Sequence, residues 1–113
     1  MNLRNIKKTW QELNAEVFTP AGFPLPEARH SRTRSRNRWA DWVDWRGYRW
    51  NRSFEGMRGS VRELIAHEMV HQWQDVYMKD FYDNVAHDYN PHDKHFFSWA
   101  DVFAAHNMRL DES

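Results

Sequence analysis

Leu3, Ile6, Trp10, Leu13 and Val17 recur at helical spacing, with Lys7, Lys8, Glu12 and Glu16 between them. The pattern predicts a helix over residues 3–18 that packs through its apolar stripe. Thr19-Pro20-Ala21-Gly22 ends it, and Pro24 and Pro26 keep the following chain extended. Over residues 28–54 the pattern changes. Trp39, Trp42, Trp45, Tyr48, Trp50 and Phe54 suit a pleated, half-buried surface, and Arg46-Gly47 marks a tight turn. Two or three antiparallel strands are expected there. Ser60 and Glu63 form an S-x-x-E capping box that starts a second helix, running to about Met78. Val61, Ile65, Met69 and Val76 are expected on its buried side. Residues 79–90 are polar and without period, and read as a loop. Asn90-Pro91 pairs a capping residue with proline at the first helical position. His92, Phe96, Trp99, Phe103, His106 and Leu110 then fall on one inward stripe of a last helix. The expected fold class is α+β: an N-terminal helix, a small antiparallel sheet, then two helices, in a single domain over residues 1–113.

Composition narrows this picture. A chain of 113 residues buries roughly 60–70% of its unfolded surface, enough for a real core. Mean hydropathy is −0.98, yet aromatics make up 16% of the chain, so the core is expected to be aromatic. No apolar run approaches the ~18 residues of a membrane span, and the N-terminal residues lack the apolar stretch of a signal peptide. The chain has no cysteine, which excludes disulfides and thiolate metal sites. These features fit a cytoplasmic protein with no membrane partner. The net charge of zero is a cancellation: residues 1–62 hold 13 Lys and Arg against 6 Asp and Glu, or +7, and residues 63–113 hold 3 against 10, or −7.

The second helix carries His67-Glu68-Met69-Val70-His71, an H-E-x-x-H motif. His67 and His71 are one helical turn apart and leave the same face. Two neutral imidazoles at that spacing can hold one zinc ion at about 2.0–2.1 Å. Glu68 lies beside that face, where its carboxylate can take a proton from a water activated by the metal. Shuffling this composition produces the bare motif in about one chain in forty, so context matters. Here the capping box opens the helix just before the motif, and the apolar residues fall on another side. The plain alternative is a buried helix with two hydrogen-bonded histidines and a surface glutamate.

A catalytic zinc takes three protein ligands and keeps one position open. Gln74 and Tyr77 stand where a metzincin has glycine and histidine, which excludes that class. No glutamate lies between Glu68 and Glu112, which argues against a thermolysin-type third ligand. His87, His92, His95, His106 and several aspartates remain. His92 is preferred, because it shares the stripe of Phe96, Trp99 and Phe103 and opens its helix. His95 is second. Tyr77, Tyr82 and Tyr89 are candidates for holding an oxyanion, on sequence proximity alone.

Arg32, Arg34, Arg36 and Arg38 alternate with Thr33, Ser35 and Asn37. At a strand period of two their guanidiniums share a face, a track for phosphates with Trp39 and Trp42 near enough to stack on bases. The competing reading is a solvated edge.

Three segments resemble the SprT/Spartan family of zincin metallopeptidases. Leu13-Asn14-Ala15-Glu16-Val17-Phe18, followed by Phe23-Pro24-Leu25-Pro26, is similar to that family's first helix and the turn into its first strand. His67-Glu68-Met69-Val70-His71-Gln72-Trp73 resembles its motif helix. His92-Asp93-Lys94-His95-Phe96-Phe97-Ser98-Trp99-Ala100 resembles its H-G-x-x-F segment, with Asp93 in place of the usual glycine and His95 in place of a common acidic residue. The resemblance implies one Zn2+ per chain on His67, His71 and His92, with Glu68 as catalytic acid/base. It also implies a protein or peptide substrate, with DNA-bound protein a candidate. The rival expectation is a DNA-binding module with a structural zinc and no peptidase activity. A metal-free interaction protein is a further one.

Overall fold

The computed structural model describes residues 2–34, 38–52, 60–85 and 90–111. Helix α1 spans Leu3–Leu13, opened by Asn2, whose side chain accepts the Asn5 N–H. The helix continues to Phe18, as expected, but Asn14–Phe18 form a wider π-helical turn. The extra residue in that turn brings two consecutive side chains, Val17 and Phe18, into the core together. Asn14 then fastens the extended segment that follows. Its amide nitrogen donates to the Leu25 carbonyl at 2.9 Å, and its oxygen accepts the Leu25 N–H at 2.8 Å.

Three short strands follow: β1 (His30–Thr33), β2 (Ala40–Val43) and β3 (Gly47–Asn51). β2 and β3 form the expected antiparallel hairpin, with Trp42 opposite Tyr48. β1, however, pairs parallel to β3, with His30 beside Tyr48 and Arg32 beside Trp50. The sheet is therefore mixed, in the order β1-β3-β2, and the wholly antiparallel expectation is corrected. The hairpin swings its second strand into the middle, so the connection out of β1 must pass over to the far edge. One face of β3 presents Tyr48 and Trp50, both fully buried. They stack with His30 at ring separations of 5.0 and 6.0 Å, and Trp10 of α1 meets this layer edge-on. The Trp50 indole N–H donates to His30 Nδ1 at 3.0 Å. Burial holds His30 neutral, with its pKa lowered to about 4. On the opposite face Asp41 and Arg49 are direct cross-strand partners and form a two-pronged ion pair at 2.6 and 3.0 Å.

Helix α2 spans Val61–Tyr77, and the Ser60 side chain accepts the Glu63 N–H at 3.1 Å. The Glu63 carboxylate accepts the Arg109 N–H at 3.2 Å, tying the helix start to the C-terminal segment. α2 contacts α1 and the edge strand β2. Residues Ile65 to Val70 are buried without interruption. Val76, expected inward, is 42% exposed: it lines an open cleft between α2 and the hairpin turn, with Trp45 and Lys79. The stretch expected as loop begins with a short helix, α3 (Lys79–Asp83).

The last helix also departs from expectation. Asn90 accepts the His92 N–H in a local turn, and the helical cap is Asp93, which accepts from both His95 and Phe96. The helix is broken into α4 (Lys94–Phe97) and α5 (Ala100–Ala105). Asn107, with φ at 59°, closes α5, and the Met108 N–H returns to the Phe103 carbonyl at 2.9 Å. Phe96, Trp99 and Phe103 are buried as expected, but His106 is exposed and Leu110 lies beyond the helix. Burying each such aromatic contributes roughly 1.5–3 kcal/mol, whereas an exposed ion pair contributes about 0–1 kcal/mol. The aromatic core therefore dominates stability. No helix among the described residues is long and apolar enough to cross a membrane.

Among the described residues two glycines adopt positive φ, and they test the hairpin. A Cβ added at Gly22 meets nothing within 4 Å, whereas one at Gly47 would lie 2.3 Å from the Arg29 carbonyl oxygen. Gly22→Ala is expected to cost only the ~1 kcal/mol of left-handed backbone strain. Gly47→Ala should cost at least about twice that, because backbone must move. Urea unfolding of both variants checks this, and equal losses would show that the start of β3 yields freely.

Candidate metal centre

His67 and His71 project from consecutive turns of α2, and His92 reaches them from the turn before α4. Their ring centroids lie 5.1–5.3 Å apart, and one nitrogen from each ring lies within 4.8 Å of the others. Phe96, fully buried, backs all three. It stacks on His71 at 5.0 Å and meets His67 and His92 edge-on at 4.9 and 4.8 Å. The spacing of four from His92 to Phe96 thus joins a candidate ligand to the apolar wall behind it.

The donor set fits a metal. Burial, with His71 and His92 alongside, lowers the His67 pKa to about 3. Burial lowers that of His71 to about 4, against an opposing hydrogen bond from Gln74. Both rings are therefore neutral at pH 7, the form in which imidazole offers a lone pair. Among the described residues, four buried polar side-chain atoms lack a hydrogen-bond partner: Trp10 Nε1, Arg46 Nε, Trp73 Nε1 and His92 Nε2. The indole and guanidinium nitrogens are N–H donors only. His92 Nε2 is the one that can carry a lone pair, and it belongs to the cluster.

Glu68 is 6% exposed, with its carboxylate 3.7 Å from His67 Nε2. Burial, and then the Asp41 carboxylate on β2, raise its pKa to about 8, while Arg38 pulls the other way. Asp41 itself is held below the usual carboxylate range. Burial would raise it, but the hydrogen-bonded Arg49, with Arg46 and Arg38, outweighs that. A glutamate whose proton is exchanged near neutral pH is suited to acid/base chemistry.

The remaining candidates are dispersed. His95 lies outside the cluster, with its ring 4.4 Å from Phe81 and its Nδ1 3.5 Å from Asp93. His87, Tyr89 and Phe54 lie outside the described residues. The Tyr77 hydroxyl donates to the Pro24 carbonyl at 2.6 Å, which commits it to packing. The Tyr82 hydroxyl donates to the Asp93 carboxylate at 2.9 Å. Among the described residues, the arginines of the row do not share a strand face. β1 ends at Thr33, so only Arg32 rides on it, and its guanidinium donates to the Arg52 carbonyl at 3.2 Å. Arg34 and Arg38 are exposed on the connection, and Arg36 lies outside the described residues. Trp42 donates its indole N–H to Asp75 and packs on Tyr48, while Trp39 is 45% exposed. Two contributors were not foreseen: Asp93 as the cap beside His92, and Gln74, whose Oε1 lies 2.7 Å from His71 Nδ1. A glutamine three residues after a motif histidine is the only sequence signal for the latter, and it is a weak one.

Compared with models of known protein families, with curated proteins and with solved structures, the chain matches none at a significant level.

Glu68 yields a pH prediction. Its pKa is about 8 in the folded protein against 4.5 ordinarily. Between those values the folded protein holds a proton that the unfolded chain has lost, so stability falls as pH rises. His67 and His71 act oppositely, adding stability as pH rises through about 4 toward 6.5. Glu68→Gln removes only the first effect. In metal-stripped protein, the melting temperature of Glu68→Gln minus that of the parent should grow from pH 5 to pH 8. A flat difference would show that Glu68 ionises as an exposed carboxylate does.

Proposed function

We propose that this protein is a zinc metallopeptidase of SprT-like type, with zinc held by His67, His71 and His92 and Glu68 as the acid/base. The observation that carries the reading is the three-imidazole cluster with a buried carboxylate 3.7 Å from one of its rings. An all-imidazole set of three suits zinc and leaves a coordination position open. When bound, zinc supplies Lewis acidity, polarising a peptide carbonyl and lowering the pKa of a water. Glu68 takes a proton from the attacking water and returns it to the leaving amine. Burial disfavours its ionised form in the metal-free protein, and a zinc ion held beside it would favour the carboxylate that accepts the proton. Phe96 excludes water behind the rings, which strengthens the field felt by charges in front of them.

A structural zinc would not need a carboxylate at position 68, so Glu68 separates this reading from a non-catalytic zinc module. Among the described residues only Arg32 of the basic row lies on a strand, so a nucleic-acid contact by this half would draw on its charge and not on a shared strand face.

Elemental analysis is expected to find one zinc per chain in protein purified without chelators. His92→Ala should lower zinc affinity by several orders of magnitude, and His95→Ala by the ~10–100-fold of an indirect effect at most. A larger loss at His95 would reassign the third ligand. Glu68→Gln should keep its zinc while cleaving an unfolded protein substrate at least ~10²-fold more slowly. If it cleaves as fast as the parent, the acid/base role is wrong. If neither protein cleaves anything while both hold zinc, the structural-zinc reading replaces the enzymatic one.

A further inference from the structure

Gln74 is buried, at 2% exposure, and every polar atom of its amide has a partner. Its Nε2 lies 2.9 Å from the Pro91 carbonyl oxygen and 2.8 Å from the Tyr82 hydroxyl. Its Oε1 lies 2.7 Å from His71 Nδ1. These contacts orient themselves, because two members of the network are acceptors only. The Pro91 carbonyl can only accept, so the amide atom facing it must be the NH2. The Asp93 carboxylate, in its ordinary ionised form, can only accept from Tyr82, so the Tyr82 O–H points to Asp93 and its oxygen accepts the second Gln74 N–H. Both ends demand the same amide orientation. Oε1 is then left to face His71, and His71 Nδ1 must carry the proton. Nε2 becomes the lone-pair atom of that ring.

The same network brackets His92. Pro91, on one side, is bound by Gln74. Asp93, on the other, is bound by Tyr82, which Gln74 also binds. Asp93 further accepts the His95 and Phe96 N–H groups at 3.0 and 3.1 Å, fixing the start of α4. His92 itself sits between two anchored residues, with its Nε2 unpartnered. One side chain on α2 therefore controls a ring on its own helix and the seat of a ring on another segment.

We propose that Gln74 is the positioning residue of the metal centre, setting the tautomer of His71 and, through Pro91 and Tyr82, the place of His92. The effect on metal affinity rests on the metallopeptidase reading above; the tautomer assignment does not.

The test uses the full chain and two readouts. Long-range 1H–15N correlation spectra of the metal-stripped protein at pH 7 report which His71 nitrogen is protonated. Competitive zinc titration reports affinity. The parent is expected to show Nδ1–H at His71. Gln74→Leu should lose that signature and bind zinc about 10–100-fold more weakly. Gln74→Glu keeps an acceptor for His71 but cannot donate to Pro91 or Tyr82. It should retain the Nδ1–H signature and still lose part of the affinity, which a merely structural role would not separate. Tyr82→Phe, a smaller change suited to the case where Gln74→Leu does not fold, should leave the His71 tautomer alone and weaken zinc binding. Nε2–H at His71 in the parent, or unaltered zinc affinity in Gln74→Leu, overturns the proposal. A parent that shows Nδ1–H but takes up no zinc would sink the metallopeptidase reading while leaving the tautomer assignment intact.

Discussion

Helix α2 is buried through most of its length, and the rest of the molecule depends on what that burial demands. Ile65, Ala66, Met69 and Trp73 meet the apolar core, and there the demand is only for volume. The other faces carry polar side chains out of water, and each needs a partner. Gln72 donates to the Pro26 carbonyl at 2.9 Å and accepts from the Tyr48 hydroxyl. Asp75 accepts from Trp42. Gln74 is satisfied by His71, Tyr82 and Pro91. These bonds fasten α2 to the sheet, to the extended segment after α1 and to the turn before α4. A hydrogen bond contributes only about 1 kcal/mol net, but leaving such a group unpaired costs about 1–3 kcal/mol. The polar bonds therefore fix where the elements sit, while the aromatic core supplies most of the stabilisation.

Against that background the groups at the cluster stand out. His92 Nε2 is buried without a partner, and Glu68 is buried with its ionised form disfavoured. Both are costly beside Gln72, Gln74 and Asp75, whose side chains on the same helix are all hydrogen-bonded. Local violations of the folding rules are common at functional sites, and these two flank one set of imidazoles. The aromatic layer of His30, Tyr48 and Trp50 is a useful contrast. Its histidine is also buried and neutral, but its Nδ1 accepts from Trp50 and it belongs to packing alone.

The sheet contributes by position. β2 is an edge strand lying against α2, and Asp41 on it is near enough to help raise the Glu68 pKa. Arg49 and Arg46 hold Asp41 ionised from the other side. Burial sets the Glu68 pKa first, and the Asp41 carboxylate adds to it from the sheet.

Local signals were legible in the amino-acid sequence. Ser60 marked the start of α2 because capping is a contact over three residues, and the stripe from Leu3 to Val17 marked the first helix because periodicity is local too. His67, Glu68 and His71 were readable for the same reason, and Phe96 gave His92 its direction. What the sequence could not decide involved choices between equivalent local signals or pairings across the chain. Asn90 and Asp93 are both good caps, and only the bonds from Tyr82, His95 and Phe96 select Asp93. Alternating arginines read as a strand face, yet β1 stops at Thr33, where its pairing with β3 ends. The parallel pairing itself follows from the hairpin inserting β3 in the middle of the sheet, which no single segment encodes. Gln74 is the clearest case. As a residue in sequence it is one more polar side chain on a helix, and its three partners come together only when α3 and the turn at Pro91 close over α2.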